Sequence, residues 1–457
     1  MIRLYAAIWV AKATMAVLRL LRSNGTHLPG RIAMKMCPTL IAQIAKPARI
    51  VAVTGTNGKT TTSNLLAQAL TGEGYKVLNN GLGSNTDAGV AAALIDGVTW
   101  RGRATRELAV FEVDERSSYR TLPGLKPQFL VCTNLTRDSI QRNAHAEYIA
   151  WILSSSIPAE TTLIVNADDL ICANVGRLSN KRVLFGVGPM PTDGNVPQGA
   201  AIDLSACPQC GVPLAWDYWR YNHIGHAHCD ACGFESPKAD YSVIAVDAAA
   251  GRVMINAAGR TFACHLLNDN IVNVYNQVAV AAVLDCLGVP LDHIAACFDH
   301  LTPPTSRYLI SQVGGVTLVR HMVKGAVGVA GSRTFQYVMS MPGNKVIVMD
   351  VDDAHDVVND CQNNSWLYDT DYEYLADPSL KQIVVGGVRC YDHALRLVMA
   401  GVDPSIIVTT TDERGAGKLV NLSGIDTVIN LHSLYNYATT GNAVQAELVA
   451  RLAGVPA

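Results

Sequence analysis

From residue 49 onward, short apolar runs alternate with segments of helical periodicity. The runs RIVAVTG, ELAVFEVDE, QFLVCTNL and TLIVNADD are each largely apolar, and each gives way to polar residues. Continuous apolar strands separated by helices are typical of a parallel sheet that is covered by helices on both faces. The pattern therefore predicts an α/β fold, with the polar strand ends on the edge of the sheet where such folds bind ligands.

The pattern changes near residue 190 and again near residue 305. A loop-like stretch, GPMPTDGNVPQG, precedes a cysteine-rich module, and the region beyond residue 305 has strands and a helix of its own. We therefore expect an N-terminal amphipathic segment at 1–48, a central domain at 49–305 with an insertion at 205–236, and a smaller C-terminal α/β domain at 306–457.

The first 25 residues are apolar but are not expected to form a transmembrane span. Lys12 interrupts the apolar run and Arg19 and Arg22 follow it, whereas a spanning helix needs about 20 consecutive apolar residues. A signal peptide is disfavoured, because the apolar region is broken and no convincing small-residue cleavage site follows it. We interpret the segment as an amphipathic helix that packs on the protein; the alternative is contact with a membrane surface.

Composition narrows the class of protein. The chain has 457 residues, of which 49% are apolar and 16% are charged, and its net charge is −2. It is long enough for several cores, and the totals indicate neither a nucleic-acid partner nor a polybasic membrane patch. Eight of the twelve cysteines lie singly in apolar or mixed runs, as buried thiols do, which favours a reducing cytoplasm.

The stretch TGTNGKTTT follows the first predicted strand and opens a helix. Two glycines allow backbone amides to approach an anion, the lysine neutralises the outer phosphates, and the first threonine after it can bind magnesium. Val53 stands where the general P-loop pattern has a further glycine, so only the tighter GxxGKT core is present. The predicted nucleotide-binding residues of this loop are Gly55, Thr56, Asn57, Gly58, Lys59, Thr60 and Thr61.

Two other strand ends carry carboxylates. The run AVFEVDE contains Glu112 at the position of a magnesium-binding acid beside a P-loop, and we predict Glu112 and Thr60 as Mg²⁺ ligands. The run LIVNADD ends in Asn166, Asp168 and Asp169. These side chains either contact the nucleotide or a metal, or cap the next helix.

The four remaining cysteines form two CxxC pairs. Cys207 and Cys210 lie in CPQC, and Cys229 and Cys232 lie in CDAC, with eighteen residues between the pairs. In a reducing compartment this spacing predicts a tetrahedral zinc site. Four thiolates leave no open position, so the site is expected to be structural. Replacement of one cysteine ligand by an intervening histidine is the less favoured alternative.

The motifs GTNGKTTT, EVDE, TNLTRD, NADD and NVYNQVAVAAV together resemble the Mur ligase superfamily, the ATP-dependent enzymes of peptidoglycan precursor synthesis. The resemblance implies that ATP phosphorylates a substrate carboxylate and that an amine then attacks the acyl phosphate. It also implies catalytic roles for Lys59 and Glu112, and a contact between Asn273 and the nucleotide base.

A four-cysteine ribbon inside such a core, together with SWLYDTDYEYL and VGGVRCYDHALRLVMAGVD, resembles the MurT family, the Mur ligase-like subunits of bacterial lipid II isoglutaminyl synthase. The resemblance runs from about residue 25 to about residue 440. It implies ATP-dependent amidation of the D-glutamate α-carboxyl of lipid II, with ammonia from a GatD-like glutaminase in a heterodimer. It also implies Mg²⁺ and a structural Zn²⁺. The expected location is the cytoplasm, and contact with the inner face of the membrane stays an alternative.

Several stretches depart from the family pattern. Arg307 in SRYLI is expected to reach the phosphates, and Asp356 or Asp360, with Asp353 as an alternative, is expected to orient the catalytic histidine of the partner. The other interpretation of these carboxylates is that they only solvate a loop. Ser139 stands where Mur amino-acid ligases have a magnesium-binding histidine. Two further functions therefore stay open, an ATP-dependent amino-acid ligase and a degenerate nucleotide-binding scaffold.

Overall fold

The chain divides into two compact units. The computed structural model describes residues 2–22, 26–81, 84–138, 145–302, 308–323, 327–351, 364–433 and 437–454. Unit 1 comprises Met1–Thr136, Ala146–Pro197 and Leu204–Pro303, and unit 2 comprises Arg137–His145, Gln198–Asp203 and Pro304–Ala457.

The described part of unit 1 contains a nine-stranded sheet and a separate hairpin of two strands, β7 and β8. In chain order the strands are β1 (Arg49–Thr54), β2 (Val77–Asn79), β3 (Leu108–Glu112), β4 (Phe129–Cys132), β5 (Thr162–Asn166), β6 (Arg182–Val187), β7 (Ala215–Tyr221), β8 (Ile224–His228), β9 (Tyr241–Asp247), β10 (Arg252–Ala257) and β11 (Arg260–His265). The sheet order is β11-β10-β9-β6-β5-β4-β1-β3-β2. Along this order, each neighbouring pair between β9 and β2 is parallel. The pairs β11–β10 and β10–β9 are antiparallel.

The central strands are apolar on both sides because helices cover both faces. Val51, Val110 and Val131 are fully buried in β1, β3 and β4, as parallel strands require. Val53 of β1 lies opposite Glu112 of β3 and Val131 of β4. The ends of these three strands therefore meet at one edge of the sheet, as the sequence pattern predicts.

The helices of unit 1 precede, cross over and follow this sheet. They are α1 (Ile2–Leu20), α2 (Leu28–Met36), α3 (Leu40–Gln43), α4 (Lys59–Gly72), α5 (Asp87–Asp96), α6 (Ser118–Leu125), α7 (Ala146–Ser156), α8 (Leu170–Ala173), α9 (Ile271–Cys286) and α10 (Leu291–Cys297). The N-terminal helix α1 packs against α2 and α5 through Ala7, Ile8 and Ala11. Within the described ranges, no helix combines the length and the apolarity that a membrane crossing requires.

Unit 2 contains a second sheet of the order β12-β13-β17-β14-β15-β16. Its strands are β12 (Tyr308–Val313), β13 (Val316–Val323), β14 (Lys345–Asp350), β15 (Leu380–Gly386), β16 (Ile407–Thr410) and β17 (Thr427–Ser433), and its helices are α11 (Gly328–Ser340), α12 (Cys390–Met399) and α13 (Asn442–Leu452). All pairs are parallel except β12 with β13. Alternate residues of β14 enter two different apolar clusters, one on each face: Ile347 belongs to one and Val346 to the other.

Candidate functional site

The loop between β1 and α4 has the backbone shape that a phosphate-binding loop needs. Gly55 has a φ of +126° and Gly58 a φ of +86°, values that L side chains rarely adopt. A side chain would not fit at either position, because its Cβ would lie 2.2 Å from Thr133 Oγ1 at Gly55 and 2.2 Å from Asn276 Oδ1 at Gly58. Both glycines of the predicted motif are thus required by the local geometry.

The segment that follows β4 holds this loop in place. The amide of Thr56 donates to the Asn134 carbonyl at 2.8 Å, and the amide of Asn57 donates to Asn134 Oδ1 at 3.1 Å. Asn134 Nδ2 in turn donates to the Asn57 carbonyl at 3.0 Å, and Thr133 Oγ1 donates to the same oxygen at 2.6 Å. The side chain of Asn134 thus pairs with both the backbone N–H and the backbone carbonyl of Asn57, and it fixes the conformation of the phosphate loop.

Lys59 begins α4 directly after the loop, and its ammonium group is held by Glu115. Lys59 Nζ lies 2.6 Å from Glu115 Oε1 and also donates to the Gly55 carbonyl. The two side chains are only 11% and 2% exposed. Burial lowers the pKa of Lys59, but the carboxylates around it, Glu115 above all, outweigh burial and raise the pKa. The lysine therefore stays cationic at the base of the loop.

Glu115 is a residue of the site that the sequence analysis did not single out. Burial raises the pKa of Glu115, and the neighbouring Lys59 ammonium opposes that rise. Glu115 opens a short 3₁₀ turn, Glu115–Ser117, and Asp114 caps this turn by accepting from the amides of Arg116 and Ser117. The only signal in the sequence was that Glu115 ends the EVDE motif.

Glu112 lies at the end of β3, beside the strand that leads into the phosphate loop. Its side chain is almost buried, and its Oε1 accepts from Asn85 Nδ2 at 2.9 Å. Asn80 fixes its backbone, because its side chain accepts from the Glu112 amide at 2.8 Å and donates to the Glu112 carbonyl at 2.9 Å. Glu112 and the hydroxyl of Thr60 in the first turn of α4 offer the oxygen donors that Mg²⁺ prefers.

Helix α9 approaches the phosphate loop through asparagines. Asn276 Oδ1 accepts from Thr62 Oγ1 of α4 at 3.2 Å, and Asn276 Nδ2 donates to Asn273 Oδ1 at 3.4 Å. Asn273 Nδ2 donates to Asn268 Oδ1 at 3.2 Å. The predicted base-binding residue Asn273 is thus joined through Asn276 to the helix that begins at the loop. Asn276 lies in the NVYNQ stretch but was not assigned a role from the sequence.

Asp169, at the end of the LIVNADD run, connects three segments of unit 1. Its carboxylate caps α8 by accepting from the Cys172 amide at 2.9 Å, as one of the two alternatives for this run predicts. It also accepts from the Leu135 amide at 2.6 Å, and it lies 2.8 Å from His223 Nε2. Because Leu135 follows Asn134, this fully buried carboxylate ties the hairpin turn of the cysteine module to the segment that holds the phosphate loop.

A second buried network joins the same hairpin to α9. Arg220 of β7 lies 3.2 Å from Asp168 Oδ2 and 2.7 Å from Asp193 Oδ2, and it donates to the hydroxyl of Tyr275. The Tyr275 hydroxyl donates to Asp168 Oδ2 at 2.5 Å. Burial raises the pKa of Asp168, against the opposing effects of Arg220 and Tyr275. The cysteine module is therefore anchored to the core of unit 1 by charged, buried contacts.

The four cysteines of the two CxxC pairs come together at one end of the β7–β8 hairpin. The Sγ atoms of Cys207 and Cys232 are 3.6 Å apart and those of Cys210 and Cys229 are 3.5 Å apart. All four Sγ atoms lie within 4.8 Å of one another. A tetrahedral zinc ion with Zn–S bonds of about 2.3 Å separates its sulfurs by about 3.8 Å, so the cluster fits such an ion.

The histidines between the pairs are engaged elsewhere. His223 contacts Asp169, as described above, while His226 Nδ1 and His228 Nδ1 lie 2.6 Å and 3.0 Å from the carboxylate of Asp217. The only group of potential metal ligands found among the described residues is the four-cysteine cluster. The four-thiolate set is therefore favoured over one with a histidine.

Comparison with known proteins identifies the family. The profile of the Mur ligase middle domain matches residues 53–188, and that of the MurT ligase C-terminal domain matches residues 323–439. The lipid II isoglutaminyl synthase (glutamine-hydrolyzing) subunit MurT of Staphylococcus aureus strain COL is 30% identical over 429 residues, which cover 93% of this chain and 95% of that protein. The chain belongs to the MurT family. The MurT subunit of Streptococcus pneumoniae strain R6 is 25% identical and covers 85% of both chains.

Solved structures confirm the Mur ligase fold. A pseudomurein peptide ligase type C from Methanothermus fervidus superposes with a TM-score of 0.67 at 17% identity, covering 89% of this chain and 80% of that one. MurF from Acinetobacter baumannii gives a TM-score of 0.62 at 15% identity, covering 92% and 80%. The predictions of a Mur ligase-like α/β fold and of an ATP-dependent ligase of the MurT family are confirmed. Mur ligases use ATP and Mg²⁺, and MurT is by name a subunit of a larger enzyme.

Several residues to which the MurT resemblance assigned roles lie outside the described part of the chain. They are Arg307, Asp353, Asp356 and Asp360. Their assigned roles at the phosphates and toward the partner stay predictions. Ser139, which replaces the histidine of Mur amino-acid ligases, also lies outside the described part.

The buried contact between His223 and Asp169 is expected to affect both the stability of the chain and its binding of ATP. We expect His223→Ala to lower the free energy of unfolding by about 1–3 kcal/mol, because it leaves a fully buried carboxylate with one hydrogen bond fewer. We also expect a higher KM for ATP, because Asp169 positions the segment that holds the phosphate loop. Chemical denaturation and steady-state kinetics measure the two effects.

His226→Ala is the matched control for this prediction. It removes a histidine–aspartate contact from the same hairpin, but the two side chains are 31% and 48% exposed. We expect its stability to change by less than about 0.5 kcal/mol and its KM for ATP to stay that of the wild type. Equal losses in both variants would contradict the role of Asp169.

Proposed function

We propose that this chain is the synthetase subunit of a lipid II isoglutaminyl synthase. It would convert the α-carboxyl of the D-glutamate of lipid II to the amide of D-isoglutamine, with ATP as the energy source and ammonia as the nitrogen source. The observation that carries the proposal is an intact nucleotide loop, with a buried, cationic Lys59 at its base, in a chain that spans 95% of a MurT relative.

The domain assignment follows from the same argument. We assign nucleotide binding to the central domain at 49–305, with the zinc ribbon at 205–236 as its insertion. We assign residues 306–457 to a C-terminal domain of the MurT type, an assignment supported by the family profile that matches residues 323–439. The N-terminal segment at 1–48 packs on the nucleotide-binding unit through α1 and α2.

In the first half-reaction the phosphate loop and Lys59 hold the phosphates of ATP. The substrate carboxylate attacks the γ-phosphorus, the bond to the β,γ-bridging oxygen breaks, and ADP leaves. Lys59 stabilises the negative charge that develops on the transferred group. Glu112 and Thr60 are the proposed Mg²⁺ ligands, and the ion supplies charge neutralisation when it is bound. Asn273 is the proposed contact to the base.

In the second half-reaction ammonia attacks the acyl carbon. The carbon–oxygen bond to the phosphate breaks, inorganic phosphate leaves with its electron pair, and the nitrogen loses one proton to give the amide. The chain contains no G-x-C-x-G nucleophile elbow, and Cys390 lies in the different context GGVRCYD. We therefore propose that a GatD-like glutaminase subunit supplies the ammonia, with Asp356 or Asp360 as the residue that orients its catalytic histidine.

The proposal is tested with the purified chain, lipid II in detergent, ATP and ammonium chloride. The expected result is ADP formation together with a lipid product whose mass has fallen by the difference between a hydroxyl and an amino group. Formation of ADP without that mass change would show that the acceptor or the nucleophile differs from the proposed one, as in an amino-acid ligase. Absence of both products would overturn the proposal in favour of a nucleotide-binding scaffold.

A further inference from the structure

One face of α1 is apolar and exposed along the whole helix. Successive positions on this face are three or four residues apart, which places them on one side of an α-helix. They are Ile2, Tyr5, Trp9, Ala13, Ala16 and Leu20. Ile2 and Leu20 are 87% and 84% exposed, and Trp9 is 53% exposed. We call these six residues the α1 face.

The opposite side of α1 is already used for packing. Ala7, Ile8 and Ala11 are buried in the core of unit 1, and Leu4 and Met15 pack against it. The helix is therefore apolar on both sides, whereas a surface helix of a globular protein normally turns a polar face to water. Contiguous exposed apolar residues of this kind mark an interaction surface.

Aromatic side chains enlarge the α1 face at its middle. The Trp9 Nε1 group donates to the carbonyl of Trp100 at 2.8 Å, and Trp100 is itself 57% exposed. The rings of Tyr5 and Trp9 are 6.4 Å apart. Tryptophan and tyrosine combine an apolar body with a polar tip, and they are enriched where proteins meet the boundary between lipid and water.

The charge of the N-terminal segment is entirely positive. Residues 1–48 contain seven Lys or Arg and no Asp or Glu, although the whole chain has a net charge of −2. Arg3 and Arg19 are exposed on α1, and Lys12 Nζ lies 5.9 Å from the centre of the Trp100 ring. The loop beside α1 adds the exposed Arg101. The acidic residue paired with this surface is Asp96, which lies 2.7 Å from Arg19.

We propose that the α1 face docks on the surface of a lipid bilayer that contains anionic lipids. The α1 helix lies along the bilayer while its opposite side stays packed on the protein. The exposed apolar residues lie between the headgroups, and the cations of the helix lie beside the lipid phosphates. The apolar face alone would also suit a protein partner, but an exposed apolar stripe on a helix whose charged residues are all cations complements an anionic lipid surface. The biological purpose, access to a lipid-linked substrate, rests on the proposed function.

The test is co-sedimentation of the full chain with vesicles, without lipid II or nucleotide. We expect binding to vesicles of equal parts phosphatidylglycerol and phosphatidylcholine, and weaker binding to pure phosphatidylcholine or at 0.5 M salt. The double variant Trp9→Ser, Leu20→Ser is expected to bind anionic vesicles about tenfold more weakly, because it removes two apolar side chains from the lipid contact. The variant loses the Trp9–Trp100 hydrogen bond, but neither Trp9 nor Leu20 belongs to the buried core, so the fold and ATP turnover in detergent are expected to be kept.

The matched control is Trp151→Ser, Leu178→Ser, which removes the same two residue types at positions that are 66% and 99% exposed elsewhere in unit 1. We expect it to bind vesicles like the wild type. Failure of the wild type to bind anionic vesicles, or equal weakening in both double variants, would overturn the proposal. A dimer in sedimentation velocity that only Trp9→Ser, Leu20→Ser dissociates would instead assign the α1 face to a second copy of this chain.

Amidation assays separate this inference from the proposed function. We expect Trp9→Ser, Leu20→Ser to amidate lipid II in detergent at the wild-type rate and lipid II in anionic vesicles more slowly. Wild-type amidation in detergent without any vesicle binding would overturn the docking proposal alone. Vesicle binding without amidation in either system would overturn the proposed function alone.

Discussion

The variant Lys59→Ala is expected to lose ATP turnover by about a hundredfold to a thousandfold, the typical effect of removing one group that stabilises transition-state charge. Lys59 lies at the first position of α4, directly after a loop whose two glycines leave room only for backbone. In the proposed mechanism its cationic group acts on the negative charge that develops at the γ-phosphoryl group of ATP. Steady-state release of ADP measures the effect.

The same substitution is also expected to destabilise the chain, because Glu115 then has no cation beside it. Glu115 is 2% exposed, and removing one partner of a buried ion pair costs about 3–5 kcal/mol. Burial raises the pKa of Glu115 above that of an unfolded chain, so the folded variant binds a proton more tightly than the unfolded one. The stability of Lys59→Ala should therefore fall as the pH rises through the raised pKa.

The double variant Lys59→Ala, Glu115→Gln separates the two effects. Replacing the carboxylate by a neutral amide removes the unpaired charge, so we expect the melting temperature to recover toward that of the wild type. Turnover should stay low, because the cation is still missing from the phosphate loop. Recovery of both properties would mean that Lys59 serves only to neutralise Glu115, and the assignment of Lys59 to the phosphates would be wrong.

Local patterns in the sequence are sufficient for the parts of the site that lie close together along the chain. The phosphate loop follows from a strand, two glycines and a helix start, and the cysteine cluster follows from the spacing of its pairs. Which of the two glutamates, Glu112 or Glu115, contacts Lys59 does not follow from such a local pattern. Both belong to EVDE, and only the 3₁₀ turn after β3 directs Glu115 toward Lys59.

Contacts between distant segments were beyond prediction from the sequence. Asn134 holds Asn57 across 77 residues, and Asp169 contacts His223 across 54 residues. Nothing in the spacing of these polar residues indicates which of them meet, because their positions depend on the order of the strands in the sheet. The α1 face is a similar case. The sequence indicates an amphipathic helix, but only its packing on α2 and α5 decides which apolar side stays exposed.

The variant Cys229→Ser is expected to release the metal ion and to lower the melting temperature by about 5 °C or more. Structural zinc sites contribute about 10–16 kcal/mol of apparent binding free energy in small zinc-finger peptides. We expect a smaller loss in this chain, because other contacts hold the hairpin when the ion is absent. Trp216 and Trp219 pack with Leu170, and Arg220 anchors the hairpin through Asp168. A loss of even 2 kcal/mol lowers the melting temperature of a unit of this size by several degrees. Metal analysis and calorimetry measure the two effects.

Cys297→Ser is the matched control, because Cys297 lies in α10, outside the cluster, and donates to the Ile294 carbonyl at 3.1 Å, a contact that a serine hydroxyl can make. It should keep the metal and the melting temperature of the wild type.

Cys229→Ser should also raise the KM for ATP, because the hairpin turn contacts Asp169 through His223. If the ribbon stabilised only itself, the KM would stay unchanged. A Cys229→Ser protein that retained one zinc per chain and its full melting temperature would refute the four-thiolate site.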